Sequence, residues 1–185
     1  VGFSTVFRGI ASWRVYSAEG ALEHGVTSFH DKSSKNMRRL DKIMYHSMPD
    51  ALKRKLAVDN TQTMEFEDTN ARLSSYTAGS KYGTRSFVLQ GAHVTEFSFY
   101  QNQREFLRSI DASVGEGDFW IESTVEQAGD MFQKMVFGAP ENGWTLITHW
   151  WWEHTDYFLK PPENFEPSEE EEFLMMIGEL ILPTI

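Results

Sequence analysis

Stretches that read as short strands alternate with stretches that read as helices along most of this chain, and that alternation leaves few folds open. Residues 4–18 predict a helix opening on Gly2-Phe3-Ser4, with Val6, Ile10, Trp13 and Ser17 along one face. A strand at 25–29 follows, then a helix at 32–48 whose inward stripe reads Met37, Leu40, Ile43, Met44 and Tyr45. Pro49 ends it, because proline lacks the amide hydrogen a helix needs. Two runs of alternating polarity, 61–67 and 71–77, flank Asp68-Thr69-Asn70 and predict a β-hairpin. Strands at 87–95, 118–124 and 144–150 are separated by helices near 103–113 and 127–137. The expectation is an α/β fold: a mainly parallel sheet flanked by helices, with a short β-hairpin inserted.

Beyond Trp152 the pattern stops. Pro161, Pro162 and Pro167 precede four glutamates, Glu169 to Glu172, and then a short helical stretch at 172–182. Ser168 is a candidate N-cap, and glutamates in a first turn suit the positive end of the helix dipole. Two parts are therefore expected, 1–152 as one domain and 153–185 as a linker with a terminal helix. The formal net charge of −10 is unevenly spread between them. Residues 153–185 carry nine acids and one base, Lys160, a local −8, which leaves −2 for the rest. Residues 31–55 hold eight bases against three acids, so an acidic chain still has a basic segment that a nucleic acid or a neighbouring subunit could meet. The chain contains no cysteine, which removes disulfides and thiolate metal sites and fits a reducing compartment. Its apolar runs fall short of the roughly 20 residues that span a bilayer, so a soluble protein is expected. Val1 through Thr5 reads as the middle of an element, and the natural start is expected to lie upstream.

Few residues offer chemistry. Gly2-Phe3-Ser4-Thr5 ahead of a helix is half of a phosphate-binding arrangement: the glycine allows close backbone approach, free amides face an anion, and a hydroxyl reaches Mg²⁺. It also reads as a plain helix cap, and Phe3 stands where the usual lysine would be. The strand at 87–95 runs into Thr95-Glu96, at what would be the carboxyl edge of a parallel sheet, where ligands bind. There Glu96 could orient a water for attack on a phosphate, or simply cap the next turn. The strand at 118–124 ends on Ser123-Thr124 at the same edge, and these two could sense a ligand or cap the following segment. Trp150-Trp151-Trp152 reads first as packing and second as a stacking surface. The six histidines show no pair at i, i+4 on a helix, so a histidine metal cluster is not indicated.

Taken in order, Val1-Gly2-Phe3-Ser4-Thr5, Thr77-Ala78-Gly79-Ser80 with Arg85, His93-Val94-Thr95-Glu96-Phe97, Ile121-Glu122-Ser123-Thr124 with Gly129, and Trp150 to Tyr157 resemble the ATPase domain of phage DNA-packaging terminase large subunits. The resemblance implies a P-loop NTPase core of the ASCE type that lacks its first strand, with the chain starting inside the Walker A loop. The loop's cation would precede Val1. Thr95 and Glu96 would form the Walker B end, with Thr95 in the position usually held by an acid and Glu96 as the catalytic carboxylate. Gly2, Ser4 and Thr5 would bind ATP, with Ser4 as the hydroxyl toward Mg²⁺. Ser123 and Thr124 would be the coupling motif, and Arg85 a further sensor, although Ser86 replaces the glycine commonly found beside it. Gln127 also departs from the family's usual glycine.

The function so implied is ATP hydrolysis with Mg²⁺ by a packaging motor that translocates double-stranded DNA into a procapsid. Portal protein and the small terminase subunit would be its partners, the motor a homo-oligomeric ring, and its place the cytoplasm of an infected bacterium. No nuclease residues are present, and the chain alone is expected to bind ATP poorly. Two rivals stand beside this reading: another nucleic-acid-directed P-loop ATPase of helicase type, and a non-catalytic binding or assembly module.

Overall fold

The computed structural model describes residues 2–78, 88–124, 126–149, 164, 166–170, 172, 173 and 176. One compact unit covers Gly2–Ile147. It contains helices α1 (Phe3–Tyr16), α2 (Asp31–Ser47), α3 (Gln103–Val114) and α4 (Met131–Gly138), and strands β1 (Glu23–Ser28), β2 (Leu56–Asp59), β3 (Thr63–Phe66), β4 (Arg72–Thr77), β5 (Gly91–Val94) and β6 (Asp118–Ile121). The strands form one sheet in the order β2-β3-β4-β1-β5-β6. Pairings of β1 with β4, β1 with β5 and β5 with β6 are parallel, and those of β2 with β3 and β3 with β4 are antiparallel. This is the mixed α/β fold, mainly parallel and flanked by helices, that the alternation predicts. The hairpin forms as expected, turning through Asn70 at φ 57°, but it is continuous with the sheet, since β4 pairs along six residues with β1. Strand β2, from Leu56-Ala57-Val58-Asp59, extends the antiparallel side and was not anticipated.

Local chemistry explains the helix limits. The imidazole of His30 accepts from the Ser33 amide at the start of α2, where Asp31 faces the positive dipole end. Met48 adopts extended geometry just before Pro49, as the steric demand of the proline ring requires. Asp130 caps α4 by accepting the Gln133 amide at 2.7 Å, and Gly115, at φ 57°, closes α3.

The two sides of the sheet are filled differently. Successive strand residues face opposite ways, so Ala92 and Val94 join Leu89, Phe97, Ile110, Val114 and Met135 in an apolar core with α3 and α4. On the α1 side, Ala11 and Val15 pack with Met64, Phe66, Ala71 and Leu73. The centre of that side is polar instead: His24, His93, Arg8, Arg38 and Asp41 are all buried. Gly91 is required there, since a Cβ would stand 2.3 Å from Cδ2 of His24.

Local expectations fail at Ile43, read in the inward stripe of α2 but 46% exposed, and in the strand read at 144–150. The face of α1 that carries Val6, Ile10 and Trp13 is its outer one, with Trp13 exposed by 66%. The buried residues are Arg8, Ala11 and Val15, because the helix turns a charged side chain inward to meet Asp41 on α2. Residues 144–149 form no strand: Leu146 and Ile147 are exposed, and Trp144 packs edge-on against Phe119 at 5.3 Å. Their β-propensity finds no neighbouring strand to pair with among the described residues. Beyond Ile147, the Glu172 amide donates to the Ser168 carbonyl at 2.8 Å, the first turn of a short helix.

Candidate functional site

Strands β5 and β6 are parallel and in register, with His93 opposite Trp120 and Val94 opposite Ile121, so their polar carboxyl ends emerge together. The period of two sends His93, Trp120 and Glu122 to the α1 side. Phe7 of α1 lies over both rings, 5.2 Å from His93 and 5.4 Å from Trp120, which anchors the first turn of α1 above these strands. The helix starts after Gly2, an N-cap held in the left-handed region at φ 94° that offers no side-chain cap, and its first turn holds no acid. The first turn of a helix is the positive end of its dipole, which favours an anion.

Ser4 is the residue that joins helix to sheet. Its hydroxyl donates to Oε1 of Glu122 at 2.5 Å, across 118 positions of sequence. The same oxygen receives Nε2 of His93 at 2.9 Å, and the Thr95 side chain lies near enough to the Glu122 carboxylate to help lower its pKa. Burial works to raise the Glu122 pKa, but His93, Ser4 and Thr95 outweigh it and hold the group below the usual carboxylate range. Burial pushes His93 down, with Glu122 opposing that shift, so the ring is neutral. A carboxylate can only accept, which places the imidazole proton on Nε2.

Thr95 ends β5, its amide bonded to the Thr27 carbonyl at 3.0 Å. Glu96 follows in the left-handed conformation, φ 56° and ψ 44°, and is solvent-exposed; Ser33 on α2 approaches its Oε2 at 3.4 Å. A non-glycine residue held there costs on the order of 1 kcal/mol and needs its surroundings to fix it. They do: the Phe97 amide bonds the Glu122 carbonyl at 3.2 Å, and the Ser98 amide bonds the Ser123 hydroxyl at 3.0 Å. Ser123 in turn donates to the Thr124 carbonyl. The end of β6 therefore clamps the turn that carries Glu96. Gly2 and Thr5 are exposed in and before the first turn of α1. Arg85 lies outside the described residues.

The site brings together Ser4, Thr95, Glu96, Ser123 and one residue that motif spacing passed over, Glu122. Its signal was present: counting by two from Trp120 puts Glu122 on the face that α1 covers. The basic segment, by contrast, is largely neutralised within the fold. Arg38 is buried against Asp59 at 2.7 Å, Lys42 meets the same carboxylate, and Lys53, Arg54 and Lys55 pair with Asp50, Asp68 and Glu67. Buried Arg38 is not available to a partner.

A hard cation such as Mg²⁺ takes oxygen ligands, usually one or two from protein with the rest from phosphates and water. The Ser4 hydroxyl, held on the Glu122 carboxylate in the first turn of α1 with Thr95 nearby, fits that requirement. Among the described residues no group of three or more His, Asp or Glu side chains could hold a metal by itself, so an ion here would arrive with its phosphates. No helix among the described residues is long and apolar enough to cross a membrane.

No protein-family model matches the chain, and no curated protein matches it in sequence. The fold is similar to that in the crystal structure of the HK97 bacteriophage large terminase, with a TM-score of 0.64 and 15% identity. The similarity covers 77% of this chain and 31% of that one, so the chain spans less than a third of the terminase's length. At this identity the likeness is one of fold.

Proposed function

We propose that this chain is part of the ATP-hydrolysing motor of a phage DNA-packaging terminase. One observation carries the proposal: a helix that opens on a left-handed glycine delivers the Ser4 hydroxyl to the carboxyl edge of a parallel sheet, beside Thr95-Glu96, in a fold shared with a large terminase. Ligands of open α/β sheets bind at that edge. In this reading Gly2, Ser4 and Thr5 hold the ATP phosphates, and Ser4 ligates Mg²⁺. Bound Mg²⁺·ATP supplies the transferable phosphoryl group and the cation that balances its charge.

The chain's own groups do the rest. Glu96, exposed on a clamped turn, takes the proton of the attacking water. Ser123 and Thr124, tied to that turn, relay its position to surfaces that grip double-stranded DNA, with Arg85 as a further sensor. A homo-oligomeric ring working with portal protein and the small terminase subunit, in the infected host's cytoplasm, completes the proposal. The test is Glu96→Gln in the intact protein. ATP turnover should fall on the order of 10² to 10⁴-fold while ATP is still bound, as loss of a general base requires. Unchanged turnover would instead favour a non-catalytic assembly module.

A further inference from the structure

The Ser4 hydroxyl and the side chain of residue 95 both meet the Glu122 carboxylate, and a hydroxyl that ligates a metal is oriented by an acceptor for its hydrogen. Threonine brings no carboxylate. The carboxylate that is present comes from the adjacent strand. We propose that Glu122 supplies the acid that position 95 lacks, acting as the positioning residue for the Ser4 hydroxyl and, through it, for Mg²⁺ at the nucleotide site. This rests on the nucleotide reading above.

Three observations carry it. The Ser4 bond to Glu122, 2.5 Å, is short for two hydroxyl-type oxygens and fits a charge-assisted contact to an ionised carboxylate. A serine whose proton is given to a carboxylate has only lone pairs left to offer, the form in which a hydroxyl ligates a cation. Second, the Thr95 side chain lies close enough to this same carboxylate to act on its pKa, so the group is within side-chain reach of the position whose acid it would replace. Third, Glu122 is itself held from behind. His93 is fully buried, packs on Phe7 and donates to Oε1, which fixes the carboxylate much as outer groups fix metal ligands. An ionised group 16% exposed is costly to keep in a fold unless its bonds are met; here the groups around it come from α1, β5 and the residue after β5.

The alternative is that Glu122 merely fastens α1 to the sheet, and the experiment separates the two. In the intact protein, Mn²⁺ binding to the ATP complex is followed by electron paramagnetic resonance, and ATP binding without metal by calorimetry. Glu122→Gln keeps the size and the acceptor oxygen but removes the charge. The expected result is a loss of Mn²⁺ affinity on the order of 10 to 100-fold, with metal-free ATP affinity and melting temperature close to wild type. Adding Thr95→Asp to Glu122→Gln should restore most of the metal affinity, since it returns a carboxylate to the Ser4 hydroxyl from the neighbouring strand. Mn²⁺ affinity unchanged in Glu122→Gln overturns the proposal. So does an equal loss of ATP affinity with and without metal, accompanied by a lower melting temperature and no rescue, which marks a structural fastening. If the wild-type protein binds ATP in neither condition, the nucleotide reading itself fails and takes this inference with it. If wild type binds and Glu96→Gln abolishes turnover while Glu122→Gln leaves the metal untouched, only this inference falls.

Discussion

The two faces of the sheet are built on opposite principles. Toward α3 and α4, Leu89, Ala92, Val94, Phe97, Ile110 and Val114 close an ordinary apolar core. Toward α1 and α2, the middle of the sheet is occupied by His24, His93, Arg8, Arg38 and Asp41, every one buried. An apolar core gains stability from area removed from water and tolerates exchanges of similar volume. A polar interior gains little net energy, yet it fails badly when one member is removed, because the remaining group is left without a partner. The polar side is also the side on which Ser4, Thr95 and Glu122 meet. The fold therefore places its proposed chemistry where orientation is fixed by directional bonds, and leaves bulk cohesion to the opposite face.

The largest expected effect breaks that contrast at its most buried pair. Arg8 and Asp41 form two parallel bonds, each 2.8 Å, with both side chains fully buried, and they join α1 to α2. Asp41→Ala should cost about 3–5 kcal/mol in urea unfolding, since a guanidinium would remain in the interior without its counter-charge. Replacing both partners, as Arg8→Met with Asp41→Leu, should recover most of that loss. If the double variant were no better than the single one, the pair would be contributing attraction of its own, and the polar face would be more than an arrangement held for orientation.

Acid probes the same face more gently. His24 has both ring nitrogens without a hydrogen-bond partner and stacks on Trp120 at 5.0 Å. Burial, then the nearby Arg8 and His93, push its pKa from 6.5 down to about 2. In the unfolded chain this histidine takes a proton below pH 6.5, whereas in the folded one it stays neutral until about pH 2. The unfolded state thus binds more protons through that window, so stability should be full above pH 6.5 and decline as pH falls below it. For one such group the slope approaches about 1.4 kcal/mol per pH unit. Urea midpoints from pH 8 to 4 should show the decline, and His24→Gln should flatten it; an unaltered slope in that variant would assign the acid sensitivity elsewhere.

The arrangement of elements was legible in the sequence because strand and helix periods are properties of neighbouring residues. Strands β5 and β6 follow from runs such as Gly91-Ala92-His93-Val94 and Asp118-Phe119-Trp120-Ile121, although both read longer in the sequence than they are, at 87–95 and 118–124. What a residue meets across the fold was less legible. Glu122 was passed over because its partners, Ser4, His93 and Thr95, are 27 to 118 positions away. The basic segment 31–55 reads as a contact surface for the same reason: the partner of its Arg38, Asp59, lies on β2, a strand too short and too mixed in polarity to stand out. A hydrophobicity rule sends charged residues outward, and it misreads any interior that is neutralised in pairs.

Helix α1 is where that rule fails most completely, and the smallest predicted effect tests it. By apolar content Val6, Ile10 and Trp13 should face the core; instead Trp13 is 66% exposed, while Arg8, Ala11 and Val15 are buried. Only one face of a helix can meet the sheet. Here the bidentate Arg8 pair with Asp41, the Ser4 bond to Glu122 and the stacking of Phe7 on Trp120 all fix the same rotation. Turning the helix to bury Trp13 would expose Ala11 and Val15 and strip all three of those contacts. The rotation is thus decided by directional partners over the burial of a large apolar ring. Trp13→Ala should change stability by no more than about 0.5 kcal/mol, the range for exposed positions without partners. A tryptophan in a core would cost about 3–5 kcal/mol on the same change. Urea denaturation of this single variant separates the two values by several-fold, and a loss in the upper range would mean that α1 presents its apolar stripe to the interior after all.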